Sequence, residues 1–401
     1  MKHILTYLFA LAILASCVRD GSENPAVDER QQASVYVSSK QPKAAPGIVL
    51  SDDENDDSAA IITDTFEAGD LLYFSQLISS ASPNFTNLED KTHPLYVYKY
   101  NQKEASWSEG YNFEYTDSQN IFDWDTVAGL GSVGNAFSLF AFYFPKNQTI
   151  ASNPSARFRV EPNQQGTTDP YDKSNFIKSD VMGAYHATSS LYTRLRFRLF
   201  HLMVYLKVTI YVPVYEDNEN NDSFSYSGFK EDALKDAFVM NAYTDFKIEW
   251  QANRSSDTEA PLTQTDGSRS NIIMYRHKTD ETQIIENFNV EEYYTKEKLG
   301  TDRVRAYTFS VLFPSQQFND NFLCFKLLAP NNETMKYYYF SSSQIIDGAD
   351  NGKYGLTQGT LQELHLYLPR LTNETVLVGA KILPWFDANT DMTVTKPQSD
   401  E

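Results

Sequence analysis

Cysteine is nearly absent from this chain of 401 residues, which contains only Cys17 and Cys324. A disulfide scaffold needs several pairs, so the fold has to rest on a hydrophobic core. Cationic side chains are also scarce, with 34 Lys and Arg against 53 Asp and Glu and a formal net charge of -19. Nucleic acid is excluded as a partner, because its binding needs basic residues that neutralise phosphates. Such acidity keeps a protein soluble and discourages loose self-association. The histidines are His3, His93, His186, His201, His277 and His365, and no two stand at a zinc-ligand spacing such as HExxH. A GxSxG elbow is missing as well, so nucleophilic catalysis has no support, and the chain reads as a non-enzyme without cofactor or metal. Helical periodicity is scarce, and after residue 30 no apolar run is long enough to span a bilayer.

What is present points to sheet. Aromatic residues make up 14 % of the chain, with 26 Tyr and 26 Phe, residues suited to a pleated, half-buried surface. Period-two alternation predicts strands at Ser34 to Val37, Leu95 to Tyr100, Tyr307 to Phe313, Asn321 to Leu328, Tyr337 to Phe340, Leu364 to Leu368 and Thr375 to Ile382. Phe137 to Phe144 is almost wholly apolar and stops at Pro145, the pattern of a strand buried on both faces. In Arg194 to Leu199 the hydrophobes occupy odd positions, whereas from Leu202 to Val212 they occupy even ones. One inserted residue turns every side chain over, so a bulge or a change of sheet is expected near Phe200 and His201. Short surface helices are expected at Glu231 to Phe238 and Val290 to Leu299. In the final strand Val376, Val378, Ala380 and Ile382 are expected to share one face.

The N-terminus carries an address. Lys2 and His3 precede an apolar run from Ile4 to Ala15, too short for a bilayer span but suited to a signal-peptide core. The run ends Leu14-Ala15-Ser16-Cys17, which resembles the bacterial lipobox. That resemblance implies cleavage before Cys17 and acylation of Cys17, and several acyl chains make a stable membrane anchor. Val18 to Gln32 is polar and reads as a flexible tether. With Cys17 lipidated, Cys324 has no partner in the chain, and its setting Phe322-Leu323-Cys324-Phe325 reads as a buried packing thiol.

Other patterns read as structure. Gly129-Leu130-Gly131-Ser132-Val133-Gly134 fits GxGxxG, but a strand follows it where a phosphate-binding loop needs a helix. Asp52 to Asp57 is rich in oxygen ligands yet lacks the central glycine and terminal glutamate of an EF-hand loop. Asp57-Ser58-Ala59 and Asp125-Thr126-Val127 resemble the short O-glycosylation signature of Bacteroidetes exported proteins.

Several segments together resemble the fimbrillin family, the lipoprotein pilus subunits and accessory proteins of Bacteroidetes. Phe66-Glu67-Ala68-Gly69-Asp70 matches its F-x-x-G-D, and Phe140-Ala141-Phe142-Tyr143-Phe144-Pro145, after Trp107, resembles its "AYYP" strand. Ser179-Asp180-Val181-Met182 with Leu199-Phe200-His201-Leu202-Met203 resembles the S-D-hydrophobic segment and the F-x-H-x-M junction. Leu366-Tyr367-Leu368-Pro369 and Val378 to Trp385 are similar to the closing strands and the I-x-x-W ending. The resemblance implies two β-sandwich domains and assembly in which proteolysis opens a groove that a neighbour's strand fills. An apolar groove with unpaired backbone groups is the physical basis of that exchange. Here Arg30 is the processing candidate, but polar tether precedes it, so cutting there releases the lipid without opening a groove.

The expectation is therefore an all-β protein of two β-sandwich domains with Greek-key type connections: signal peptide 1-16, tether 17-32, sandwiches 33-199 and 200-387, and a polar tail 388-401. The expected role is a structural or adhesive component of surface fimbriae at the outer membrane, joined to other pilus subunits, lipid-anchored through Cys17, with a host or glycan ligand. The rivals are a surface glycan-binding lipoprotein, which an exposed aromatic platform would favour, and a glycoside hydrolase, which needs two carboxylates roughly 5 to 9.5 Å apart across a cleft.

Overall fold

The computed structural model describes residues 34–39, 69–76, 95–104, 111–115, 122, 137–144, 157–188, 194–214, 228–248, 262–264, 269–278, 283–289, 303–318, 321–329, 334–342, 354–356, 358–369 and 375–384. The N-terminal part contains β1 (Ser34–Ser39), β2 (Leu71–Gln76), β3 (Tyr96–Glu104), β4 (Tyr111–Tyr115), β5 (Phe137–Phe144), β6 (Arg157–Arg159), β7 (Met182–Thr188) and β8 (Arg194–His201). All of these except β6 close into a barrel in the order β1-β4-β3-β2-β5-β7-β8. β1 is the closing strand, antiparallel to β4 and parallel to β8, with Ser34 opposite Arg194 and Ser39 opposite Leu199. Closure removes the open edges that a flat sheet would expose.

The barrel is filled by aromatic side chains, among them Phe74, Tyr96, Tyr98 and Phe122, with Leu139, Ala141 and Phe200. β5 is buried on both faces, as its unbroken apolar run predicts. Leu139 and Ala141 point into the barrel, while Phe140 and Phe142 join a second, larger core outside it.

After β8 come β9 (Met203–Pro213), β10 (Leu234–Tyr243), β11 (Asp245–Ile248), β12 (Leu262–Gln264), β13 (Arg269–Ile273), β14 (Tyr275–Arg276), β15 (Ile284–Ile285), β16 (Val304–Pro314), β17 (Gln316–Phe318), β18 (Asn321–Leu328), β19 (Met335–Ser341), β20 (Tyr354–Leu356), β21 (Thr360–Tyr367) and β22 (Val376–Pro384). Two larger sheets form, one ordered β13-β10-β18-β19 and the other β14-β16-β9-β21-β22, with β15 also on β16. Ala237, Val239, Leu323 and Phe325 of the first share a core with Leu206, Val208, Ile210 and Val311 of the second. Two smaller sheets, β12-β11-β6 and β17-β20, complete an all-β architecture among the described residues.

At the slip in alternation, β8 ends at His201 and β9 begins at Met203, each in a different sheet. Leu202 between them is fully buried, and its N–H donates to Val181 O at 2.8 Å. The extra residue lets each strand keep an apolar face toward its own core.

Between β6 and β7 the chain crosses the C-terminal sheets and forms one helical turn, α1 (Ser174–Ile177). Gln164 is fully buried there; its amide donates to Leu312 O and accepts from Leu312 N at 2.8 Å, so a side chain continues the β16 ladder where β14 stops. Gly166 leaves no room for a side chain, since a Cβ would lie 2.2 Å from Asp169 O.

Two expectations are corrected. Glu231 to Phe238 is not a helix; Leu234 onward is β10. A register shift between Leu234 and Asp236 brings Leu234, Ala237 and Val239 all inward, and that bulge imitates helical spacing. In β22 a shift opposite His365 and Leu366 makes Val378 an extra residue, so Leu377 and Ala380 pack on the main core while Val376 and Val378 pack beside Tyr367. The Val290 to Leu299 expectation lies outside the described residues.

Candidate functional site

Cys17, Arg30, the acidic run 52–57, the glycines 129–134 and both O-glycosylation signatures lie outside the described residues. The motif residues within them meet in pairs. Gly69 has φ of 101°, open to glycine at little cost, and its turn ties to β3 through Gly69 N to Tyr100 O at 3.0 Å and Tyr100 N to Asp70 O at 2.9 Å. This puts the buried Asp70 carboxylate against β5, where Tyr143 Oη donates to Asp70 Oδ2 at 3.0 Å. F-x-x-G-D and the "AYYP" strand therefore make one contact.

The second pair lies where the barrel meets the next sheet. Ser179 Oγ accepts from Glu161 N and donates to Asn175 O, fixing the end of α1. Asp180 Oδ1 then lies 2.8 Å from His201 Nδ1, with side-chain exposures of 12 % and 3 %. Met182 is registered against His201 and Gly183 against Phe200. Removing either member would leave a buried polar group without this partner. The third pair is β21 on β22, where Tyr367 lies opposite Val376. β22 ends its sheet, so its far side is an edge among the described strands.

Sequence reasoning missed the polar groups on the outer side of β9 and β16. His277 Nε2 is 2.7 Å from Ser310 Oγ, and Ser310 Oγ donates to Tyr205 Oη at 3.1 Å. His277, Ser310 and Tyr205 are all buried, so this chain of polar groups is enclosed by the packing around it. Lys207 Nζ pairs with Glu363 Oε1 at 3.4 Å, and His365 Nδ1 lies 3.1 Å from Tyr211 Oη. Burial pushes the His365 imidazole below its ordinary range, Glu363 opposes this and Lys207 adds to it. Spacing in sequence carried no signal for these groups, since their partners come from different strands.

The outer face of β10, β18 and β19 carries a row of aromatic and aliphatic side chains. Its rows read Phe238–Cys324–Tyr339 and Asp236–Lys326–Tyr337, with Leu328 opposite Met335 beyond. Met335 and Tyr337 are exposed, at 39 % and 43 %. Lys326 Nζ lies 3.5 Å from Asp236 Oδ2 in the middle of this face. Cys324 is the buried thiol expected, and desolvation pushes it up to about 11. Among the described residues no group of three or more His, Cys, Asp or Glu is placed to hold a metal.

No family model matches the chain, and no curated protein does. Solved structures do. A candidate cell adhesion protein of Bacteroides uniformis is similar over 90 % of this chain and 100 % of its own, with 14 % identity and a TM-score of 0.44. The fimbrial anchor protein Mfa2 of Porphyromonas gingivalis is similar over 89 % of this chain and 99 % of its own, with 7 % identity and a TM-score of 0.36. The tip fimbrial protein Mfa3 of Porphyromonas gingivalis is similar over 80 % of this chain and 95 % of its own, with 9 % identity and a TM-score of 0.34.

Proposed function

We propose that this chain is a structural or adhesive component of bacterial surface fimbriae, exported as a lipoprotein and joined to its neighbours by added β-strands. One observation carries the reading: the segments that resemble the fimbrillin family make their contacts with one another, Asp70 with Tyr143 and Asp180 with His201. A set of motifs that closes into mutual contacts behaves as one architectural plan and not as scattered coincidences. In this proposal Cys17 holds the membrane anchor, residues 17–32 are the tether, and 33–199 and 200–387 are the two units of the body, with a polar tail at 388–401.

Assembly by strand addition needs an open edge, and β22 offers one. β1 starts after Arg30 and is held on both sides, by β4 and by β8. Cutting at Arg30 therefore frees the lipid and leaves the barrel closed, which suits a tip, anchor or accessory subunit as well as a stalk.

Gold-labelled antibody on intact cells tests the reading. Label along surface filaments assigns a stalk role, and label at one end assigns a tip or anchor. Filaments carrying no label, in cells that make the protein, would overturn the proposal. Cys17→Ser should move the protein from the membrane to the soluble fraction, because serine cannot form the thioether; membrane retention without acyl mass contradicts the anchor.

A further inference from the structure

The outward face of the sheet β10, β18 and β19 is more apolar than a solvated face needs to be. Tyr337 and Tyr339 stand two residues apart on one side of β19, about 7 Å along the strand, and Phe238 lies two strands away at about 10 Å. The four-stranded sheet turns Tyr338 and Phe340 into the core, so this aromatic row is not needed to fill it. Between the row containing Tyr339 and the pair Leu328 and Met335 runs the ion pair of Lys326 and Asp236, its side chains 30 % and 25 % exposed.

This placement discriminates between occupants. The core of a protein–protein contact is depleted of Lys and Asp, and covering an ion pair with apolar atoms gains little. A sugar ring has the complementary chemistry: C–H faces that lie flat on aromatic rings and a rim of hydroxyls that both donate and accept. A lone ammonium would select polyanions, but here Lys326 is neutralised by the Asp236 carboxylate, on a chain whose formal charge is -19.

We infer that this face is a binding site for neutral oligosaccharides, with Tyr337, Tyr339 and Phe238 as the stacking platform and Lys326 with Asp236 as the hydrogen-bonding centre. The site uses the face of the sheet and not its edge, and it does not rest on the fimbrial reading.

The test uses the full-length protein in detergent micelles, titrated calorimetrically with maltohexaose, laminarihexaose and mannohexaose, and with heparin as a polyanionic control. At least one neutral hexasaccharide should bind. Tyr337→Ala and Lys326→Met should each weaken it roughly tenfold, the upper range of one aromatic contact, with melting temperatures unchanged. Ile285→Ala, at an exposed apolar position on β15, should leave binding as it was. The proposal is overturned if none of the three sugars binds, if heparin alone binds, or if binding survives both substitutions. It is also overturned if Tyr337→Ala changes only self-association in sedimentation, which would make the face a contact between copies. Because Tyr337 and Lys326 lie outside the core, a folding failure in one variant leaves the other to decide.

Discussion

Tyr143 and Asp70 lie 73 positions apart, yet a single hydroxyl joins them. Tyr143→Phe deletes that donor while keeping the ring, and it should lower stability by about 1–2 kcal/mol in urea titration, as expected for a buried carboxylate losing a partner. An unchanged midpoint would show that the contact is incidental. His365 supplies a pH test. Its imidazole is held below the ordinary range in the fold, whereas the unfolded chain takes up a proton near pH 6.5. Between those two values the unfolded state binds more protons, so stability falls as acid is added through that window. His365→Gln should flatten the loss of stability as the pH falls below about 6.5 in melts at each pH, and an equal loss in both proteins contradicts the assignment. Cys324, pushed up to about 11 by burial, should be roughly one part in a thousand thiolate at pH 8. An aromatic disulfide reagent should therefore label it far more slowly in the native protein than in urea.

Elements show why some of this was readable and some was not. Strand spans follow from local pattern, alternation in β9 and β18 and an unbroken apolar run in β5, and so these strands sit where the pattern puts them. Both corrected expectations, the helix at Glu231 to Phe238 and the face of the final strand, trace to bulges, at Leu234 in β10 and at Val378 in β22, because one added residue changes the spacing of a pattern without changing composition. Barrel closure was beyond reach for another reason: it depends on Ser34 pairing with Arg194, and no local pattern encodes a partner that distant. The aromatic face was half readable, since Tyr337 to Phe340 marks a strand, while its outward direction is set by β18. The β22 bulge makes a discriminating prediction. Unbroken alternation would leave Leu377 outside, whereas the structure packs it on the main core. Leu377→Ala should cost about 1–3 kcal/mol in thermal melting, and a neutral result would restore the simple pattern.

The molecule as a whole has one core cluster reaching from the outside of the barrel into the C-terminal sheets. Phe140, Phe142 and Tyr185 belong to it together with Val208, Val311 and Phe325. Phe158 of β6 is one link, its ring centroid 6.3 Å from Phe142 and 5.5 Å from Phe246. Next to it Arg159 grips Asp245 through two hydrogen bonds, but with Arg159 65 % exposed that pair adds little. Apolar packing at Phe158, which β6 holds in place by pairing with β11, therefore adds to the coupling made at the β8–β9 junction by Val181 and Leu202. If the cluster is continuous, barrel and sheets should unfold together, and calorimetry of the wild-type protein should give one transition with calorimetric and van't Hoff enthalpies in agreement. Phe158→Ala opens a cavity at the link and should cost about 3–5 kcal/mol. More tellingly, it should split the single transition into two, since each side keeps its own aromatic core, whereas Tyr337→Ala on the outer face should not. Two transitions in the wild-type protein would mean that the barrel and the sheets are energetically separate despite sharing Phe158.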